Sequence, residues 1–332
     1  MGILGDFYAS RIYPGLSAAL SWLAAPFPFS LTETVAAVFL AGTLWLLVRL
    51  IVRPGRGKTG LQLAGWVAGA VVWFYAGWGL NYFRSSLYAR TGMPAMPFEE
   101  AEFQEFLDVF TEALNENRCE TVPIDPMQLE DEIRTAYAAL APEYGLCRPR
   151  AWQHPKRPLF NRLYSAVGVM GFIGPAFDEM HVNRDTPPLE YPFVFAHEYA
   201  HVLGVSSEAE ANFWAFQVCR ASEHPSVRYS AWLMLLTYSA SNIRSLLEED
   251  AFQAWRARLR PEVAEDLAAV HDHWQALRRP WLSKVQHRIY DLFLRSNRIT
   301  EGTKNYAQVL RMVLTFSDFH EDFHEHDHGE EG

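Results

Sequence analysis

Cysteine is scarce in this chain: Cys119, Cys147 and Cys219 are the three in 332 residues. None has the close spacing of a thiolate metal site, so a cysteine-built zinc centre is excluded. Cys119 and Cys147 could close one disulfide in an oxidising compartment; three free thiols is the equal alternative. Basic charge is also short. Lys and Arg number 29 against 39 Asp and Glu, a net charge of −10, which argues against nucleic acid as a partner. No basic stretch precedes the first apolar run, so no cleavable signal peptide is expected. No internal repeat is present.

What the chain does have is long apolar runs. Residues 34–52 are apolar except for Arg49, and residues 59–83 carry no charge. Each is long enough to cross a lipid bilayer as a helix. The loop between them, 53–58, holds Arg53, Arg56 and Lys58. The positive-inside rule makes it cytoplasmic and puts the large C-terminal part outside; Arg84 and Arg90 are the argument for the reverse. Residues 1–33, broken by Pro14, Pro26 and Pro28, read as an interfacial helix and turn lying on the membrane. Gly65 and Gly69 have the spacing of a helix-packing pair.

Residues 84–98 read as a linker with Pro94 and Pro97, and 99–318 as the main domain. Helical spacing predicts helices at 99–116, 127–141, 207–221, 225–246, 249–258, 261–276, 281–296 and 303–316. Residues 164–184 are rich in Gly, Val, Phe and Ile without that period, and predict two short strands around Gly174-Pro175. Met180 to Asn183 would form the sheet's edge, able to take up an extended peptide. His181 there is more simply a packing residue than a ligand. The fold class is therefore mainly α (α+β): two N-terminal transmembrane helices, then a mostly helical domain with a small β-sheet. The acidic, His-rich tail, 319–332, reads as disordered.

The chemistry lies at His197-Glu198-Tyr199-Ala200-His201. On a helix the two His sit one turn apart on one face and can reach one ion, while Glu198 lies beside a water position. The flanks Phe195, Ala196, Val202 and Leu203 are uncharged, as in a buried helix. Gly204 ends it in a C-cap-like position. A zinc site needs a third protein ligand. Glu208 is the first choice and Glu210 the alternative. Ser207 reads as an N-cap with Glu210 three residues on, which gives Glu210 a structural task. Asn212, one turn past Glu208, could support a ligand.

Glu208-Ala-Glu-Ala-Asn212 after His-Glu-x-x-His resembles the Glu-x-x-Ala-Asn or Glu-x-x-x-Asp element of gluzincin metallopeptidases. That resemblance maps the third zinc ligand onto Glu208. A wider resemblance is to a family of bacterial membrane proteins with two N-terminal transmembrane helices and a zinc-peptidase-like domain. It is carried by Ile12-Tyr13-Pro14, Pro28-Phe29-Ser30, Gly79-Leu80-Asn81-Tyr82, Val182-Asn183, His197 to Asn212, Tyr290-Asp291 and Ser296-Asn297. It implies a multi-pass bacterial membrane protein; with the basic loop cytoplasmic, the domain is expected on the outer side of the cytoplasmic membrane.

The expected activity is hydrolysis of a membrane-proximal peptide or protein, with Zn²⁺ on His197, His201 and Glu208 and Glu198 as general base. Asn183, Asn212 and Tyr290 are candidate supporting or substrate-binding residues; a Tyr290 hydroxyl could serve an oxyanion. The rivals are a zinc-binding sensor or scaffold without turnover, and a zinc hydrolase of non-peptide amides or esters.

Overall fold

A computed structural model describes residues 2–52, 56–94, 100–284, 288 and 306–316. The chain opens with α1 (Gly2–Phe7), a π-helical turn (Tyr8–Ile12) and α2 (Tyr13–Ala24). Two long apolar helices follow, α3 (Leu31–Val52) and α4 (Arg56–Gly77). Both are long and apolar enough to cross a membrane, and both are almost wholly exposed along their length. The first begins three residues before the expected 34–52. The second ends well short of residue 83, because Trp78 leaves helical geometry and Gly79–Phe83 form a 3₁₀ turn.

Hydropathy cannot register that change, because contacts with the rest of the domain set it. The Trp78 indole donates to the His201 carbonyl, and the Asn81 carbonyl accepts from Ser206. Gly65 and Gly69 do not bring the two helices together, since nothing lies within 4 Å of where their side chains would start. Gly42 does, packing under Trp66, which stacks on Phe39.

The stretch read as a linker is packed over residues 84–92. α5 (Leu87–Thr91) buries Leu87 completely. Arg84 donates to the carbonyls of Gly145 and Gly204, and Arg90 pairs with Glu210. Then come α6 (Glu100–Asn117), α7 (Pro126–Tyr144) and α8 (Asn161–Val167). After the sheet follow α9 (Tyr191–Val202), α10 (Glu208–Arg220), α11 (Pro225–Leu246), α12 (Glu249–Arg256), α13 (Pro261–Leu277) and α14 (Tyr306–Phe316). Proline sits in the first turn of α2, α7, α9, α11 and α13, where its missing N–H costs no helical bond. Phe193, Phe195, Tyr199, Phe213, Trp214 and Phe216 fill the centre between α9, α10 and α11. α9 is buried on nearly every side, which is why its sequence is uncharged around the motif.

The sheet has two antiparallel strands, β1 (Gly171–Gly174) and β2 (Glu179–Val182), in register Gly171 to Val182 and Gly174 to Glu179. The free edge is not where the sequence reading puts it. β2 is fully buried, and its outer side is bridged by Lys156, which donates to the Met180 carbonyl and accepts from the Val182 amide. β1 is half-buried, and among the described residues no strand pairs with its other side. A sequence run shows strand character but not which flank another segment covers.

The N-terminal helices also do more than lie on a surface. Tyr8, Tyr13, Leu20 and Ala24 are buried in the domain, while Ile3, Leu4, Phe7, Trp22, Leu23, Phe27 and Phe29 face outward. The Tyr13 hydroxyl lies 2.8 Å from both Asp178 Oδ1 and the Val202 carbonyl, directly behind the motif helix. Cys119, Cys147 and Cys219 are all free.

Candidate metal centre

α9 carries His197 and His201 one turn apart, and their Nε2 atoms converge to 3.1 Å. Glu208, in the first turn of α10, brings Oε2 to 3.3 Å from His197 Nε2 and 3.7 Å from His201 Nε2. A tetrahedral ion with bonds of about 2.0–2.1 Å holds its ligand atoms about 3.3 Å apart. The three atoms therefore already have the spacing of one face of such a tetrahedron. Two imidazoles and one carboxylate are a donor set that suits zinc. These residues form a group that could hold a metal ion.

The turn between α9 and α10 explains how six intervening residues suffice. Gly204 takes φ +92°, a left-handed conformation that glycine adopts freely. The chain doubles back, and the Val205 carbonyl accepts from His201 Nδ1 at 2.7 Å. In the neutral imidazole this bond places the proton on Nδ1 and leaves Nε2 as the atom a metal would take. Ser207 then caps α10, accepting from the Glu210 amide.

Charge in the site favours a cation. Burial raises the Glu208 carboxyl, but hydrogen bonds to His197 and His201 outweigh it and hold the group well below the usual range. Burial would lower His201, yet its bond to Glu208 and that carboxylate's charge lift it to about 9. Glu198 is buried beside them. Burial pushes its carboxyl up to about 7, against the opposing pull of His197 and His201. Its Oε2 and the Nδ1 of His197 are buried without a hydrogen-bond partner.

β1 passes against Glu198. A Cβ added at Gly171 would lie 2.6 Å from Glu198 Cγ and Oε1, so a glycine is required for this approach.

The remaining predicted residues separate. Glu210 lies outside the cluster: it pairs with Arg90 and accepts from the Trp214 indole at 3.2 Å. Asn212 is buried on α10 with Oδ1 unpartnered. Asn183 spends its amide on Ser165 and the Val169 carbonyl, and its oxygen on the Asp185 amide, so it knots a turn. His181 bonds Ser30 at 2.8 Å and stacks on Phe172, which makes it a packing residue. Tyr290, Asn297 and the His-rich tail lie outside the described residues.

Three neighbours went unread in the sequence. Trp78 meets the His201 ring edge to face at 6.3 Å, and Tyr82 meets Trp78 at 5.2 Å. The Tyr82 hydroxyl is pushed up first by burial and then by the Glu208 charge, which reaches it. Gly171 is the third. The Gly79-Leu80-Asn81-Tyr82 run was a signal for the first two, since polar and aromatic groups cluster there at the end of an apolar helix.

Fold and site together define a mostly helical protein with two apolar N-terminal helices and a His-His-Glu group fit to hold a metal. The chain belongs to the family described as Protein of unknown function (DUF3810), whose model matches residues 8–314. That match spans the apolar helices and the candidate metal centre alike. No curated protein and no solved structure matches the chain.

Proposed function

We propose that this protein is a membrane-anchored zinc-dependent peptide hydrolase. The observation that carries the reading is the convergence of His197, His201 and Glu208 beside a buried, unpartnered carboxylate. A purely structural site has no need of Glu198 in that place. Zinc, when bound, would supply a Lewis acid that acidifies water and polarises a carbonyl.

The chain's own residues supply the rest. Glu198 Oε2, buried beside the cluster without a partner, accepts the proton of the attacking water and returns it to the leaving amine. His201 is oriented by Val205 and braced by Trp78. Asn212 Oδ1 and His197 Nδ1 are each buried without a hydrogen-bond partner, and Asn212, one turn past Glu208, is the candidate supporting residue. The edge of β1 that no described strand pairs favours a peptide over other amides, because it can pair with an extended backbone.

For orientation, Leu31 at the start of α3 and Trp78 at the end of α4 both touch the domain, so the basic turn lies at the far end. Arg84 and Arg90 are bound within the domain and lose their weight as topology signals. This supports a cytoplasmic turn and an outer domain.

Glu198→Gln is expected to keep its zinc and lose peptide hydrolysis. A variant that cleaves a peptide library at the wild-type rate refutes the assignment of the base.

A further inference from the structure

The hairpin that carries β1 is seated on the two apolar helices. Thr32, in the first turn of α3, donates to the Gly174 carbonyl at 3.2 Å. Trp73, in the last turns of α4, donates to the Ala176 carbonyl at 3.2 Å, and the Pro175 carbonyl lies 3.1 Å from where a Gly77 side chain would start. Glu179, the first residue of β2, caps α3 by accepting from the Leu31 and Thr32 amides, and Lys156 neutralises it. One end of β1 is thus fixed to the heads of both apolar helices, and the other end, Gly171, touches Glu198.

The surface beside the strand is apolar and turned outward. Tyr164 of α8 packs on Phe172 of β1 at 4.6 Å. Around it Leu159, Phe160 and Leu163 are exposed. The same loop is tied to α3, because Glu33 accepts from the Leu159 and Phe160 amides. Phe27 and Phe29, immediately before α3, are exposed as well. Apolar groups held at the head of a membrane helix belong at the bilayer interface.

From these contacts we infer that the site takes polypeptides that are themselves anchored in the membrane, and acts on them a few residues from where they leave the bilayer. The inference rests on the hydrolase reading of the site. A strand advances about 3.3 Å per residue, so Gly171 stands about 10 Å beyond Gly174 and the helix heads. A chain emerging from lipid beside α3 and α4 meets at once the edge of β1 that no described strand pairs. It pairs along the strand and reaches Glu198 within roughly three to five residues. A soluble peptide must find the same edge without that guidance, at lower effective concentration.

The test uses the full chain carrying Glu198→Gln, in liposomes, with short synthetic peptides bearing a palmitoyl anchor at either end. Photoleucine occupies each position in turn. Crosslinks to residues 171–174 are expected to peak roughly three to five residues from the anchor. They should keep that distance when the peptide sequence is slid along the anchor, and exceed those of the unanchored peptide by about tenfold. Crosslinks that follow the peptide sequence instead of the anchor overturn the inference. So do equal yields from the unanchored peptide, or no crosslink to the strand at all. Wild-type protein given the same peptides reads turnover separately. Anchored crosslinking without cleavage leaves the capture of anchored chains along β1 standing and counts against the hydrolase reading alone.

Discussion

Asp178 offers a stability test that does not depend on the metal. Its carboxyl is buried at the hairpin turn, with Ser17 and Tyr13 as hydrogen-bond partners. The Tyr13 phenol has one proton and two acceptors at 2.8 Å, Asp178 Oδ1 and the Val202 carbonyl. Both contacts are satisfied if Asp178 carries a proton and donates to the phenol oxygen, leaving the phenol proton for Val202. Burial, only partly offset by Ser17 and Tyr13, pushes this carboxyl from 3.8 to about 7. The native state therefore holds the proton more tightly than the unfolded chain. The resulting stabilisation is complete below about pH 4, declines as pH rises, and is lost above about pH 7. At about 1.4 kcal/mol per unit the whole effect is on the order of 4 kcal/mol, of which about 3 falls between pH 5 and pH 8.

Asp178→Asn mimics the protonated acid, with an amide donor toward Tyr13. Asn also tolerates the φ of +53° at this position. Thermal unfolding of both proteins in detergent across that pH range should show the gap between them widening by about 6–12 °C. Parallel curves would refute the protonated state.

Other perturbations separate architecture from chemistry. Gly171→Ala should displace the Glu198 carboxylate and lower kcat by about a hundredfold while metal content stays unchanged, as kinetics beside elemental analysis would show. Glu210→Ala leaves Arg90 without its partner in a largely buried place; denaturant unfolding should find a loss on the order of 3 kcal/mol with the metal retained.

Much of the helical layout was legible because local signals repeat there. α11 runs from Pro225 to Leu246, the span its periodicity predicts. The motif helix is legible too, since His197 and His201 at one-turn spacing admit few other arrangements. What stayed hidden depends on contacts distant in sequence. Tyr13 meets Asp178 across 165 positions, and Trp78 meets His201 across 123, so nothing local marks either pair. The sheet edge failed for the same reason: Lys156 covers β2 from outside the strand region. The choice between Glu208 and Glu210 needed Arg90, whose place beside α10 no spacing rule supplies.

Metal content bears most directly on the central claim. Elemental analysis of the detergent-purified full chain should find one zinc per chain, lost in Glu208→Ala and kept in Glu210→Ala. A wild-type protein without stoichiometric metal, or a Glu208→Ala variant that keeps its zinc, would contradict the site drawn here.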